Sequence, residues 1–165
     1  KMENKTSQYF AQQFGMVTEW INWLLEDLTD EDLRTELSPG KNHGIWILGH
    51  LIASDDDFSL FMGTGNPVYP EIQELFGQGS KLQPPDKYPD VKSLRVKWGE
   101  IREKNRKIYS ELKDEDFDNP HAMIKNYDTD YFKTKGRVIM AWQIHQAYHA
   151  GQLAVIASHL GKSRY

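Results

Sequence analysis

The 165-residue chain has no cysteine. That excludes disulfides, thiolate metal ligands and a cysteine nucleophile, and leaves His, Asp and Glu as the side chains able to hold a metal. It also fits a reducing compartment, so a cytoplasmic location is expected. Proline is scarce and unevenly spread. Five of the seven fall between residues 63 and 89, which leaves long stretches open to helix. No apolar run approaches the roughly 20 residues of a membrane span. The polar N-terminus enters an amphipathic pattern within a few residues, so no signal peptide is expected. Basic residues do not dominate: 20 Lys and Arg against 24 Asp and Glu give a net charge of −4, with the signs mixed along the chain. Nothing there marks a nucleic-acid binder. Strand-like alternation, internal repeats and low-complexity segments are lacking too, and the length suits one domain over residues 1–165.

What the chain does have is helical periodicity. Phe10, Phe14, Val17, Ile21, Leu24 and Leu28 recur at spacings of four and three, predicting a first helix over roughly 6–28 with Thr6 or Ser7 as its cap. Thr29-Asp30-Glu31-Asp32-Leu33 resembles a capping box and predicts a short helical turn, which Ser38-Pro39-Gly40 breaks. A second helix is expected over about 42–62, stopped by Gly63-Thr64-Gly65-Asn66-Pro67. The proline-rich segment 63–89 reads as a crossover from one end of a bundle to the other, with a helical turn or two over 70–76 begun by Pro70. A third helix is expected from the Asp90 cap to about Lys113, on the stripe Val91, Leu94, Trp98, Ile101, Ile108 and Leu112. Asn105 interrupts that stripe, either as a partner contact inside the bundle or as a polar wall of a site. Residues 114–133 read as a second long loop. The fourth helix is expected over about 134–160, closed by Gly161. Four long helices, no strand pattern and two long connections predict an all-α four-helix bundle.

The chemistry concentrates in histidine. His145 and His149 are four residues apart, so a helix puts both on one face, one turn apart, where they can share a divalent metal. That face also carries Trp142, Gln152 and Ile156 and points into the bundle. Two stacked buried imidazoles cannot both be comfortably protonated, and a shared metal removes the difficulty. A catalytic metal usually takes three protein ligands. His50, set among Trp46, Ile47, Leu48 and Gly49, is the third candidate, against the alternative of a satisfied core histidine. His43 is expected as an exposed helix-start residue, His121 lies in the second loop, and His159 is near the end of the last helix. Asp57 returns to nearly the face of His50, while Asp55 and Asp56 point elsewhere. Asp57, Tyr148 and Gln152 are candidates to act as a base or to orient a ligand imidazole, and Gln146 is expected to be structural. A pocket is expected between His50 and the two long loops, lined by Trp46, Asp57, Asn105 and Tyr148.

Trp46-Ile47-Leu48-Gly49-His50-Leu51-Ile52, followed by His145-Gln146-Ala147-Tyr148-His149-Ala150-Gly151-Gln152-Leu153 and Leu160-Gly161, resembles the DinB/YfiT-like superfamily of metalloenzymes. The resemblance covers nearly the whole chain. It implies a four-helix bundle carrying a metal, commonly zinc or nickel, on His50, His145 and His149. It further implies a small-molecule substrate, activities that include thiol-dependent S-transfer with a low-molecular-weight thiol and metal-dependent hydrolysis, and a homodimer. Zinc is favoured by the ligand type, and nickel also accepts imidazoles. A non-catalytic metal-binding or ligand-sensing module is the alternative. For association, Ala147, Gly151, Ala154 and Ser158 form a small-residue stripe beside Ile144 and Val155. That stripe serves either a neighbouring helix of the same bundle or a second copy.

Overall fold

The computed structural model describes residues 4–162 and Arg164. Four long helices and one short one make up its regular structure: α1 Lys5–Asp27, α2 Gly44–Met62, α3 Pro70–Phe76, α4 Val91–Glu111 and α5 Lys135–His159. No strand is present among the described residues.

The predicted apolar stripe buries α1: Phe14, Val17, Ile21, Leu24 and Leu28 are all in the core. Its cap differs from expectation. The helix begins at Lys5 after Asn4, and the free N–H groups of Thr6 and Ser7 donate to the Asp114 carboxylate, 3.2 and 2.7 Å away. A carboxylate from the far loop thus does the work that a local Thr or Ser would do, and those bonds hold the Asp114 pKa below its ordinary value. The Thr29–Asp32 capping box forms as read, each side chain bonded to the other's backbone N–H, ahead of a 3-10 turn over Asp32–Arg34. Asp90 and Thr134 cap α4 and α5. Gly63, at φ 73°, ends α2 in the left-handed conformation that glycine adopts without a steric penalty.

The side-chain pairings fix the topology. Phe14 and Thr18 meet Arg102 while Asn22 meets Trp98, so α1 and α4 run antiparallel. His50 meets His145 while Ser54 meets Trp142, so α2 and α5 are antiparallel as well. Asp55 meets Arg102 and Phe58 stacks on Tyr109, which makes α2 and α4 parallel. Parallel neighbours cannot be joined by a tight turn, and this is why segment 63–90 has to cross the length of the bundle. Asp56 anchors that crossover: its buried carboxylate accepts from the N–H groups of Val68 and Tyr69 and pairs with Lys104 at 2.6 Å.

Two apolar clusters fill the interior. One holds Ile21, Leu24, Leu48, Leu94 and Leu153 at one end, and the other holds Phe14, Phe58, Tyr109 and Val138 at the other. Between them lies a buried polar layer. Arg102 Nη1 donates to Asp55 Oδ2 at 2.8 Å, its remaining N–H groups reach Thr18 Oγ1 and the Phe14 carbonyl, and the guanidinium lies 3.7 Å from the Phe14 ring centre. Gln146 donates to the other Asp55 oxygen at 2.5 Å, and Asn105 donates to the Asp55 backbone carbonyl at 2.9 Å. Burial pushes the Asp55 pKa up, and Arg102 opposes that by favouring the ionised form.

No helix among the described residues is long and apolar enough to cross a membrane. The small-residue stripe of α5 is only partly covered. A Cβ on Gly151 would meet nothing within 4 Å, and Ile144 and Val155 beside it are 64% and 56% exposed.

Candidate metal centre

His50 is carried by α2, and His145 and His149 by α5. The antiparallel packing of these helices brings the three rings together. His145 Nε2 lies 3.0 Å from His50 Nε2 and 3.0 Å from His149 Nε2. One ligand atom from each residue falls within 4.8 Å of the others, so the group could hold a metal ion. His50 and His149 are buried, at 7% and 5% exposure, and His145 is half-buried.

The outer nitrogens decide what the inner ones can do. His50 Nδ1 donates to the Phe76 carbonyl at 2.6 Å, and His149 Nδ1 donates to Gln152 Oε1 at 2.6 Å. A neutral imidazole has a single N–H, so both Nε2 atoms carry bare lone pairs that point at His145. His145 has at most one proton to offer between them. Burial, with the neighbouring imidazoles adding to it, pushes the His145 pKa down to about 3; burial lowers His149 to about 4 and moves His50 in the same direction. At neutral pH these are three uncharged rings with converging lone pairs, the donor set that a divalent cation requires. Two nitrogens on a tetrahedral zinc, at bonds of about 2.0–2.1 Å, sit roughly 3.3 Å apart. The 3.0 Å separations need open by only a few tenths of an ångström, so the residues fit the ion.

The carbonyl that fixes His50 arrives through α3. Gly49 has no side chain, and the Phe76 ring occupies the vacated space: a Cβ there would stand 2.2 Å from a ring carbon. Only a glycine lets α3 lie this close, and the closeness sets the Phe76 carbonyl on the imidazole. On its other side His50 stacks against Trp46, ring centres 4.5 Å apart at 12°. Trp46 is therefore a wall behind the ligand, and does not line the cavity in front of it.

That cavity has a volume of about 850 Å³ and opens along α2 and α5. The three histidines line one end, and Tyr148, 64% exposed, stands at its rim beside His149. Asp57 lines it too, on the helical stripe His50, Ser54, Asp57 and Phe61. Burial, then the neighbouring Asp56 charge, raises its pKa to about 6. Both long connections contribute, the first through Gly77 and Gln78 and the second through Tyr127, Tyr131 and Phe132.

Other expectations are corrected. Asn105 is not at the cavity: it is buried in the polar layer and bonded to Asp55. His43 is not an exposed terminus residue. It is 1% exposed, its Nδ1 accepts from the Trp46 N–H as the cap of α2, and its Nε2 bonds the Gln83 carbonyl at 2.9 Å. The reading of Asp57 as an orienter of a ligand imidazole gives way to Phe76 and Gln152, which occupy that role. Gln146, expected to be structural, is bonded within the polar layer. The Phe76 carbonyl left no signal in the sequence, because a backbone atom acts there. Arg102 did leave one: it sits four residues after Trp98 and three before Asn105 on the inward face of α4.

A helical bundle with three inward imidazoles, two of them held by their outer nitrogens, defines a candidate metal-binding protein. Residues 13–153 match the family model of the DinB superfamily, and the chain belongs to that family. No curated protein matches it.

Proposed function

We propose that this protein is a metal-dependent enzyme acting on a small molecule, with a divalent ion, zinc in first place and nickel as a substitute, held by His50, His145 and His149. The observation that carries this reading is the convergence of three imidazoles, with the outer nitrogens of His50 and His149 fixed. A cavity of about 850 Å³ that opens directly onto them supports a catalytic use over a purely structural one. When bound, such an ion would supply Lewis acidity, lowering the pKa of a coordinated water or thiol towards neutrality. Phe76 and Gln152 keep the ligand rings in one orientation, so no reorganisation is needed when charge develops. Trp46, stacked on the His50 ring, supports that ligand from the side away from the cavity.

Hydrolysis and thiol transfer are both within reach of this chemistry. The cavity favours water as the nucleophile, because among the described lining residues there is no Lys or Arg to receive the carboxylates of common low-molecular-weight thiols. Thiol-dependent S-transfer is the second reading, suited to a thiol without those charges. The test is to assay zinc-loaded protein on ester and amide substrates, and on thiol plus electrophile, each with and without chelator. Chelator-sensitive hydrolysis supports the first reading, chelator-sensitive thiol consumption the second, and turnover indifferent to chelator overturns both.

We further propose a homodimer built on the α5 face that carries the exposed Ile144 and Val155 and the half-buried Gly151. Light scattering of the wild type and of Val155→Arg tests it. A monomeric wild type, or a dimer unaffected by the arginine, rules the face out.

A further inference from the structure

The cavity is chemically lopsided. Beyond the histidines one wall is aromatic, facing Gln73, Gly77 and Gln78, and its ring contacts are continuous: Tyr127 to Phe61 at 5.5 Å between ring centres, Phe61 to Trp142 at 4.9 Å, Trp142 to Phe132 at 5.8 Å, and Phe132 to Tyr131 at 4.8 Å. Asp57 lines the same cavity, its carboxylate hydrogen-bonded to the neutral Gln73 amide. On α2 it lies three residues after Ser54, whose carbonyl accepts from the Trp142 indole at 2.8 Å, and four before Phe61, which packs on the same indole. Trp142 therefore spans the turn of α2 on which Asp57 sits. The Asp57 charge has no cationic partner among the described residues. The nearby Lys104 is committed to Asp56 at 2.6 Å, and the described lining residues include no Lys or Arg. Seven residues of helix separate Asp57 from His50, a rise of about 10 Å, so the carboxylate is placed for the far end of a ligand and not for the metal.

We infer that the substrate is a small organic cation, whose protonated or quaternary nitrogen is held between Asp57 and this aromatic wall while its reacting group lies at the histidines. A carboxylate opposite the nitrogen gives charge complementarity, and the faces of the indole and phenol rings attract a cation that has shed its water. Neither feature suits an anion: a carboxylate or phosphate would face Asp57 with no basic side chain to offset it. The inference rests on the reading of this cavity as the substrate's site, and it adds the substrate's charge and the residue that reads it.

Three ligands of one shape separate the possibilities: 4-phenylbutylamine, 4-phenylbutanol and 4-phenylbutyrate, titrated calorimetrically into metal-free and into zinc-loaded protein near pH 7.5. In metal-free protein the amine is expected to bind about tenfold tighter than the alcohol, with the butyrate weakest. Asp57→Asn, nearly the same shape, brings amine and alcohol to within about twofold. Tyr131→Ala, at an exposed rim position, weakens amine and alcohol together. Equal or tighter binding of the alcohol or butyrate overturns the inference, as does no detectable amine binding or a preference that survives Asp57→Asn. The wild-type series needs no variant to fold, and it is independent of zinc. Retained amine preference without zinc binding would sink the metal reading alone, whereas zinc binding without the preference would sink this one.

Discussion

The bundle buries two polar clusters within a few turns of each other on the same helices, and they are resolved in opposite ways. In the layer of Asp55, Arg102, Gln146 and Thr18, each charged group finds its partner inside the chain. In the cluster of His50, His145 and His149, the partners the chain supplies are all on the outside of the rings, and the inner nitrogens are left facing one another. Helix α5 takes part in both: His145 and His149 face the cavity, while Gln146, between them in sequence, faces the layer. A buried polar group costs stability unless it is satisfied. In the first cluster the charges are paired within the protein, and only the neutral Gln146 Oε1 and Asn105 Oδ1 are left without a partner among the described residues. The second presents its inner nitrogens to one another, where one ligand atom from each ring could hold a metal ion.

If that contrast is right, breaking the closed cluster has the largest effect. Arg102→Ala leaves the Asp55 carboxylate buried without its cation, and is expected to cost about 3–5 kcal/mol, read as a large drop in thermal midpoint. The double variant Arg102→Met with Asp55→Leu removes both charges and should recover much of that loss. Equal damage from single and double variants would mean that packing, and not the uncompensated charge, sets the cost. The open cluster should behave otherwise. Gln152→Ala frees the outer nitrogen of His149 and is expected to weaken zinc binding about 10–100-fold with little change in the stability of the metal-free protein. A stability loss as large as that of Arg102→Ala would erase the distinction between the clusters.

A smaller effect comes from Asp57, which lies in the cavity rather than in either cluster. Its pKa is raised from 3.8 to about 6, so the folded state binds the proton more tightly than the unfolded one. The stability this confers is present below about pH 3.8 and is lost as pH rises to about 6. Asp57→Asn does not titrate. The thermal midpoint of the variant minus that of the wild type, in metal-free protein, should therefore rise between pH 4 and 6.5 and level off above. A flat difference would show that the carboxylate is solvated and its pKa ordinary.

The same contrast explains what was legible in the sequence. Phe10 to Leu28 and Val91 to Leu112 show their period because one face of α1 and of α4 meets solvent, and periodicity follows from having two faces. The imidazole pair was legible because ligand spacing on a helix is itself periodic. The closed layer was legible only through the inward position of Arg102 on its helix, since Asp55 and Asn105 are ordinary surface residue types until the packing of α1, α2, α4 and α5 buries them together. Asn105 interrupts the apolar stripe of α4, yet nothing in the sequence says whether a cavity or a carbonyl lies opposite. His43 misled for a similar reason. It stands where a helix start is usually exposed, and only the fold of the distant segment around Gln83 covers it. The tethers of the ligand rings were half visible: Gln152 lies one turn from His149, whereas the Phe76 carbonyl depends on α3 docking over Gly49.

The most direct test of the account is the metal stoichiometry of the wild type and of His145→Ala after dialysis against zinc, measured by elemental analysis alongside circular dichroism. The account predicts one zinc per wild-type chain and near-complete loss in the variant, with the helical signal of both unchanged. Stoichiometric zinc in His145→Ala would contradict it.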